Sequence, residues 1–310
     1  MSRSSPFAEG LGPAAVYFAF RAGAFVAEAL PPRVASALAR AGGLLAHRIA
    51  RKKRAVVARN YARVTGEGPH IRALVKEGFV SYAQYWLETF RLGRYSVAEL
   101  HSMVAIDEAS LAAINDAFAA DRGVVLATGH IGFYDLGVAW IGTMGWPFTT
   151  VAEVLKPRAL FEWFAEIRQN RGMGVIPAKP GLQARGKLRT LIESKEGVAL
   201  LADRDLGRRG IWGEFFGEKT TFPAGPAILV SQTKASLLVG AIVREGAGFR
   251  VIFRPAEIEF TGVESDDLSL VVDAIAKGLE QIICSYPEQW HLFSTNWPSD
   301  EPHLSPRGRG

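Results

Sequence analysis

The most constraining feature of the chain is a short apolar run that leads into a glycine-flanked pair of ionisable side chains. Residues 123–127, Gly-Val-Val-Leu-Ala, are followed closely by Gly129 and His130, and Asp135 comes five residues after the histidine. That separation places two side chains on opposite faces of a strand and roughly 140° apart on an ideal helix. His130 and Asp135 can therefore meet only across a bend, which Gly129 and Gly132 permit.

This segment predicts a strand, a bend and a helix in succession. The apolar run predicts a buried strand, and the sequence Leu-Gly-Val-Ala-Trp-Ile-Gly at 136–142 predicts a helix whose first turn holds Asp135. Open α/β sheets bind their ligands at the carboxyl ends of the strands. We therefore expect His130 and Asp135 to lie at the ligand-binding edge of a sheet.

The two side chains suit the transfer of an acyl group to a hydroxyl. Attack on a thioester needs a base that titrates near neutral pH, which imidazole provides. A carboxylate bonded to the other ring nitrogen fixes the tautomer and stabilises the imidazolium. The pattern predicts His130 as the base and Asp135 as its partner, with an oxyanion held by backbone N–H groups near Gly132 or by a guanidinium. The alternative is a histidine that only caps a loop and an Asp135 that only caps a helix.

Several blocks of sequence accompany this pair in a fixed order. They are Arg51-Lys52-Lys53-Arg54 with Arg59-Asn60-Tyr61, the core from His130 to Asp135, Thr150-Val151-Ala152-Glu153 with Lys156-Pro157, Ala202-Asp203-Arg204-Asp205-Leu206, and Phe215-Phe216-Gly217 with Pro223-Ala224-Gly225-Pro226-Ala227. Together they resemble the lysophospholipid acyltransferase superfamily over nearly the whole chain. The resemblance is greatest to the phosphatidylinositol mannoside acyltransferases, which are relatives of the lipid A late acyltransferases. The segment Trp290-His291-Leu292-Phe293 resembles the closing aromatic segment of that family more weakly.

Two positions depart from the family pattern. Many relatives have Asn-Trp between the histidine and the acid, where this chain has Phe133-Tyr134. The acid of the later block is often Glu in the mannoside acyltransferases and is Asp203 here, one methylene shorter. Both departures bear on the identity of the acceptor more than on the class of reaction.

The resemblance implies an acyl-CoA-dependent O-acyltransferase at the cytoplasmic face of the cell membrane. It would move a palmitoyl-type chain from acyl-CoA, its donor substrate, to a sugar hydroxyl of a glycolipid, with the mannose of a phosphatidylinositol mannoside as acceptor. No other cofactor and no metal are implied, and direct transfer is expected because no activated nucleophile is apparent. The alternatives are another lysolipid or a lipid A-like acceptor, or a catalytically inactive lipid-binding scaffold.

Further site residues can be proposed from their positions and chemistry, and the resemblance also singles out Arg168. Glu153 is expected to bind acceptor hydroxyls or to orient Arg168, and Asp203 to hydrogen-bond the reacting groups or the acceptor while Arg204 balances its charge. Ordinary surface or structural ion pairs are the alternatives. The remaining predicted substrate-binding residues are Arg208 and Arg209, for the phosphates of coenzyme A, and Gln232, from the resemblance alone. Five aromatic side chains are candidates for an acyl groove, namely Trp140, Phe148, Phe161, Trp163 and Phe164.

Positive charge is concentrated near the N-terminus. Residues 1–63 hold eleven Lys and Arg against Glu9 and Glu28, a balance of +9, so the remainder carries −4 within a total of +5. On a helical wheel five basic residues share one sector, opposite Ala50, Val57, Tyr61 and Val64; they are Arg48, Arg51, Lys52, Arg59 and Arg63. This basic helix predicts contact with an anionic membrane surface, although a solvated face on a packed helix is an equal alternative.

An apolar helix is predicted before the basic one. Residues 14–29 carry Val16, Phe18, Phe20, Phe25 and Val26 with few charges, and this segment is the better candidate for shallow insertion into a bilayer. The longest early apolar run, 14–20, is too short to cross a membrane. No recognition module for nucleic acid accompanies the basic residues, so a nucleic-acid partner is not expected.

The rest of the chain predicts an α/β fold: a single domain with a central mixed sheet flanked by helices, plus N-terminal amphipathic membrane-associating helices. The expected boundaries are an extension at 1–65, an acyltransferase domain at 66–298 and a flexible tail at 299–310. Predicted strands are 123–127, 148–152, 198–202, 237–243 and 249–253, and predicted helices are 160–171, 183–193, 226–233 and 268–286. The single cysteine, Cys284, is expected to be buried packing in a reducing compartment.

Overall fold

A seven-stranded sheet forms the centre of the molecule in the computed structural model, which describes residues 4–178 and 182–300. Its strands are β1 (Val104–Ile106), β2 (Val124–Thr128), β3 (Phe148–Glu153), β4 (Gly174–Ala178), β5 (Gly197–Leu201), β8 (Ser236–Glu245) and β9 (Gly248–Ala256). They lie in the order β1-β9-β8-β2-β5-β3-β4. All neighbours are parallel except β8 and β9, which form an antiparallel hairpin. The predicted mixed sheet is confirmed.

Eleven helices and a small hairpin complete the part of the chain that the structure describes. The helices are α1 (Leu11–Ala29), α2 (Pro32–Ile49), α3 (Arg51–Thr65), α4 (His70–Arg91), α5 (Val97–Met103), α6 (Glu108–Ala119), α7 (Tyr134–Thr143), α8 (Arg158–Gln169), α9 (Leu182–Glu193), α10 (Ala224–Thr233) and α11 (Glu264–Ser285). The hairpin joins β6 (Ile211–Phe215) to β7 (Glu218–Phe222) and stands apart from the main sheet. All five predicted strands and all four predicted helices are present, with ends displaced by a few residues. Elements α4 to α6, β1, β4 and the hairpin were not anticipated.

The strands are apolar on both faces because the sheet is covered on both sides. Alternate residues of β2 enter different cores: Val125 packs with α9, α10 and α11, whereas Leu126 packs with α6 and α7. The same alternation separates Val198 from Ala199 on β5. A parallel strand buried on both faces has a nearly continuous apolar sequence rather than an alternating one. This burial fixes the sheet and leaves its carboxyl edge free for chemistry.

The N-terminal helices pack beside the sheet and keep apolar side chains in solvent. Helices α1 and α2 lie against α4. Phe20 of α1 meets Trp86 of α4 and Phe164 of α8 edge to face. Large apolar side chains elsewhere on these two helices are exposed: Leu11, Val16, Phe18, Phe25 and Val26 on α1, and Val34, Leu38, Leu45 and Ile49 on α2. Among the described helices, none combines the length and the apolar character needed to cross a bilayer.

The predicted basic face is wrong in part. Arg48 belongs to α2, because the helix breaks at Ala50 and α3 begins at Arg51. Arg59 and Arg63 form ion pairs with Asp300, and Arg63 also pairs with Glu218. Two of the five predicted charges therefore serve the fold, while Arg51 and Lys52 stay exposed. The opposite face is as predicted, since Val57 and Tyr61 are buried.

Two smaller expectations are corrected. The first two residues of the predicted flexible tail are fixed to the rest of the protein. The side chain of Ser299 bonds Glu218, and that of Asp300 is only 2% exposed between Arg59 and Arg63. The rest of the predicted tail, 301–310, lies outside the described residues. Cys284 is exposed rather than buried, because it points away from the sheet on a helix whose buried stripe includes Ile282 and Ile283.

Candidate active site

The corner between β2 and α7 brings His130 to the carboxyl edge of the sheet. Gly132 has φ of +65°, and a Cβ atom there would lie 1.9 Å from the carbonyl oxygen of Ile242. Only glycine fits this close approach to β8. Gly129 lies against Asp203, whose Cγ would be 3.2 Å from an added Cβ. The glycine-dependent bend is confirmed, and it presents the imidazole to the end of β5.

His130 pairs with the buried carboxylate of Asp203. The Nδ1 atom of His130 lies 2.7 Å from Oδ1 of Asp203, and the backbone N–H of His130 donates to Oδ2 at 3.0 Å. Burial by itself would raise the pKa of Asp203, but the charge of His130 and hydrogen bonds from His130 and Trp290 hold it below its ordinary value. An ionised carboxylate only accepts hydrogen bonds, so the ring proton lies on Nδ1 and Nε2 is the basic atom.

The predicted pairing of His130 with Asp135 is wrong. Asp135 accepts a hydrogen bond from the hydroxyl of Tyr85 at 2.6 Å and forms an ion pair with Arg168. The physical reason is local: Asp135 lies in the first turn of α7 and faces α4 and α8, whereas the corner turns the imidazole toward β5. Burial, followed by the charge of Asp135, raises the pKa of Tyr85 well above its ordinary value. Burial alone would lower the pKa of Arg168, but Asp135 raises it.

Arg168 and Glu153 are not joined to each other in the described part of the molecule. Arg168 is held by Asp135, so the expectation that Glu153 orients it is wrong. Glu153 ends β3 as an exposed side chain on the wall of the cavity beside His130. It therefore stands where an incoming polar molecule would meet it.

Arg204 borders the same cavity without pairing with Asp203. Its Nη1 atom donates to the hydroxyl of Ser294 at 3.3 Å, and its buried Nε has no hydrogen-bond partner among the residues described. His130 and Trp290 meet the charge of Asp203 instead, which corrects the expected charge balance. A buried guanidinium N–H without a partner is costly, and it suits a group that arrives with substrate.

The other predicted binding residues lie off the cavity wall. Arg208 is half-buried and adopts a φ of +48°, Arg209 is exposed in the same loop, and Gln232 is exposed on α10. None of the three lines the cavity. The structure brings His130 and Asp203 together, and Arg204 and Glu153 line the same cavity as His130.

A largely apolar cavity of about 480 Å³ lies beside α7 and α8, and His130 of the His130–Asp203 dyad lines it. Its apolar lining comes from the sheet and from α7, with Leu126, Val138, Ile141, Gly240, Ile242, Val251 and Phe253 among the members. Of the five predicted groove aromatics, Phe161 and Phe164 line it. Trp140 and Phe148 are core residues, and Trp163 stacks with Arg21 instead. The volume and lining fit a long aliphatic chain.

Helix α4 and the C-terminal segment supply lining residues that the sequence did not assign. Tyr82, Tyr85 and Trp86 come from α4, and His291 and Phe293 come from the C-terminal segment. His291 is 6% exposed, with Nε2 2.9 Å from the hydroxyl of Ser81. Burial, with a smaller contribution from His130, lowers the pKa of His291 to about 3, so this ring is neutral. The aromatic block at 290–293 was visible in the sequence, but nothing there indicated its contact with the dyad.

Backbone N–H groups at the corner are already in use. Gly132 donates to the carbonyl of Gln289 and Phe133 to that of Ile242, both at 2.8 Å. An oxyanion formed beside His130 therefore cannot use these two N–H groups without breaking the corner. The other predicted donor is a guanidinium, and Arg204 lines the cavity.

Comparisons with known proteins identify relatives over most of the chain. Residues 11–299 match a family model described as bacterial lipid A biosynthesis acyltransferase. A phosphatidylinositol mannoside acyltransferase of Mycolicibacterium smegmatis is 34% identical over 286 residues, which cover 91% of each chain. A protein of the same name from Mycobacterium tuberculosis is 34% identical over 245 residues, covering 78% of this chain and 76% of its own.

Proposed function

Because the chain belongs to the bacterial lipid A biosynthesis acyltransferase family and is an acyltransferase, we propose that it moves a fatty acyl chain from acyl-CoA to a sugar hydroxyl of a membrane glycolipid. The proposed acceptor is a mannose of a phosphatidylinositol mannoside, the lipid named for the relatives that cover most of the chain. The observation that carries the proposal is that His130, paired with the buried Asp203, lines a largely apolar cavity.

The dyad supports transfer in one displacement. Nε2 of His130 removes the proton of the acceptor hydroxyl as its oxygen attacks the thioester carbon, and Asp203 stabilises the imidazolium that forms. The tetrahedral intermediate then collapses, the carbon–sulfur bond breaks, and the imidazolium returns the proton to the departing thiolate. We assign the binding of the oxyanion to Arg204, whose side chain lines the cavity together with His130. No side-chain hydroxyl or thiol bonds His130 in the described chain, which favours a route without an acyl-enzyme.

The cavity separates places for the donor and for the acceptor. Its apolar depth suits the acyl chain, while the exposed Lys53 stands at the opening and donates to the carbonyl of Phe293 at 3.0 Å. Lys53, which lines the cavity, is better placed than Arg208 and Arg209 to meet the phosphates of coenzyme A. The exposed carboxylate of Glu153 is placed to accept hydrogen bonds from sugar hydroxyls.

A panel of acceptors tests the proposed substrate. The purified protein, given palmitoyl-CoA, is expected to acylate a phosphatidylinositol mannoside at least tenfold faster than phosphatidylinositol, a lysophospholipid or a lipid A-like disaccharide, because only the mannoside offers the hydroxyl that this site is proposed to accept. Labelled product is measured by thin-layer chromatography and mass spectrometry. Equal or faster transfer to the lysophospholipid or the disaccharide would replace the acceptor and leave the acyltransferase chemistry in place.

We further propose that α1 and α2 bind the protein to the cytoplasmic face of an anionic membrane. Leu11, Phe18 and Phe25 recur every seven residues on α1, so they share one face of that helix. The exposed residues of α2 do the same, since Val34, Leu38, Leu45 and Ile49 follow one stripe. Exposed apolar stripes on neighbouring helices, beside the basic Arg51 and Lys52, are suited to the interface of an anionic bilayer.

Charged replacements on these stripes are expected to release the protein from membranes. The double variant Phe25→Glu, Leu38→Glu should bind vesicles of anionic phospholipid at least tenfold more weakly, since it removes two inserted apolar groups and adds two negative charges. Cosedimentation with vesicles measures the binding. Leu111→Glu, on the exposed side of α6, is the matched control and should bind as the parent does. Equal binding by the double variant and the control would show that another surface meets the lipid.

A further inference from the structure

Trp290 is a completely buried side chain that touches the dyad without lining the cavity. Its indole Nε1 donates to Oδ2 of Asp203 at 2.9 Å. That same oxygen accepts the backbone N–H of His130, while Oδ1 faces the imidazole Nδ1. The carboxylate is thus bound on both oxygens, and among the described residues Trp290 supplies the one side-chain bond that does not come from His130.

The main chain around Trp290 is fixed to the corner that carries His130. Trp290 pairs with Ile131 in an isolated β-bridge, in which the next residue, His291, donates its N–H to the carbonyl of His130 at 2.7 Å. On the other side, the hydroxyl of Tyr61 donates to the carbonyl of Trp290 at 3.0 Å. Asn60 of the same helix donates to the carbonyl of Leu292 at 2.8 Å. Helix α3 therefore holds the main chain at Trp290 and Leu292 from a part of the sequence far from the dyad.

We propose that Trp290 is a positioning residue for the transfer reaction, whose indole N–H fixes the orientation of the Asp203 carboxylate and shares its negative charge. The inference rests on the proposed function and assigns Trp290 no contact with substrate. Without the indole bond, Oδ2 keeps only the N–H of His130, and rotation of the carboxylate about Cβ–Cγ becomes easier. A less neutralised carboxylate also favours the protonated imidazole, which cannot act as the base.

Several polar and titratable groups surround His130 and Asp203, and each of them could affect the titration of the His130 ring. Tyr134 of α7 lies edge to face with His130 at 5.9 Å between ring centroids, and His291 faces it from the C-terminal segment. Arg204 follows Asp203 in the chain, and Asn296 donates to the backbone carbonyl of Asp203 at 3.1 Å. Tyr85 of α4 and the pair of Asp135 with Arg168 lie one layer further away. None of these groups is altered when Trp290 loses its N–H.

Two buried tryptophans allow a matched comparison. Trp297 is also fully buried, packs against Trp290 at 6.2 Å between ring centroids, and donates its Nε1 to the carbonyl of Phe215 at 3.1 Å. Trp290→Phe and Trp297→Phe therefore each remove one indole N–H and a similar volume from one cluster, but only the first removes a bond to Asp203. Trp290→Phe is expected to lower kcat about tenfold relative to Trp297→Phe and to move the acid limb of the pH–rate profile upward by roughly half a pH unit. Trp297→Phe should keep the parent acid limb.

The second variant replaces Trp290 by benzothienylalanine, in which sulfur takes the place of the N–H at nearly constant shape. It separates the loss of the hydrogen bond from the loss of side-chain volume in the core. NMR titration of the His130 ring, assigned with His130→Gln, supplies a readout that needs no turnover. An upward shift of that titration with Trp290 altered and none with Trp297 altered supports the proposal. An unshifted titration in folded protein with position 290 altered overturns it. Absent turnover in the parent protein would count against the proposed function, and the NMR result would still decide the role of Trp290.

Discussion

His130→Ala is expected to lower kcat for acyl transfer by about 10²- to 10⁴-fold, because the reaction then has no base to remove the proton of the acceptor hydroxyl. The side chain of His130 is 17% exposed, so its removal opens a small space at the cavity wall rather than a void in the core. Binding of the acyl chain, which rests on apolar contacts deeper in the cavity, should be little affected. The loss should therefore fall on kcat, with KM for palmitoyl-CoA within a few-fold of the parent value.

Single-turnover transfer from palmitoyl-CoA to a phosphatidylinositol mannoside measures the effect, with circular dichroism as a check on folding. His101→Ala is the matched control, because His101 is an exposed histidine that bonds only Thr143, outside the cavity. Transfer that survives in His130→Ala at the rate of His101→Ala would contradict the proposed mechanism. Hydrolysis of the thioester without acceptor is not a substitute measurement, since it does not report on the alcohol.

The corner that carries His130 was predictable because its determinants are local. The apolar run before it, Gly129 and Gly132, and the helical pattern after Asp135 all lie within one short segment. Glycine is required at position 132 because of the carbonyl of Ile242, which is distant in sequence. The glycine itself, however, is visible in the local sequence and was enough to predict the bend. The predicted strand, bend and helix were therefore correct without any knowledge of the neighbouring strands.

The partner of His130 was not predictable from the same segment. Asp135 is near in sequence, but Asp203 is near in space, because β2 and β5 are adjacent parallel strands and both end at this edge. The sequence did place Asp203 at the site, among the residues expected to bond the reacting groups or the acceptor. The sequence did not show the directions in which the side chains of His130 and Asp135 point. The close approach of Gly129 to Asp203 and the position of Asp135 in the first turn of α7 determine those directions.

Helix α4 shows a different limit. It lies between the N-terminal helices and the sheet, and its buried residues include the polar Glu88, Thr89 and Arg91. Glu88 pairs with Arg244 of β8, which stacks on Phe133 beneath the corner. A helix buried on more than one side with charged residues inside has no simple apolar stripe, so neither its packing nor its place on the cavity wall could be inferred.

Asp203→Asn is expected to lower kcat by about 10⁴-fold, as much as the loss of His130 itself. The amide of asparagine can donate to Nδ1 of the imidazole, which moves the ring proton to Nε2 and leaves no base facing the substrate. The opposite orientation of the amide is disfavoured, because an NH₂ group in place of Oδ2 would confront the N–H groups of Trp290 and His130, which both donate to that oxygen in the parent protein. The kinetic loss should appear at every pH, because no degree of deprotonation restores the correct tautomer.

The variant Asp135→Asn distinguishes catalysis by the His130–Asp203 pair from the pairing of His130 with Asp135 that their spacing in the sequence suggests. It removes the charge that Arg168 meets at the α7–α8 contact, so it should cost about 3 kcal/mol of unfolding free energy by leaving a buried guanidinium without its partner. Its effect on kcat should be at least tenfold smaller than that of Asp203→Asn, because the bond between Asp203 and His130 is retained. Denaturant unfolding and single-turnover rates of the two variants measure both quantities. If Asp135→Asn were as inactive as Asp203→Asn while remaining as stable as the parent, Asp135 would have to act on the reaction directly, and the division between a catalytic pair and a structural pair would fail.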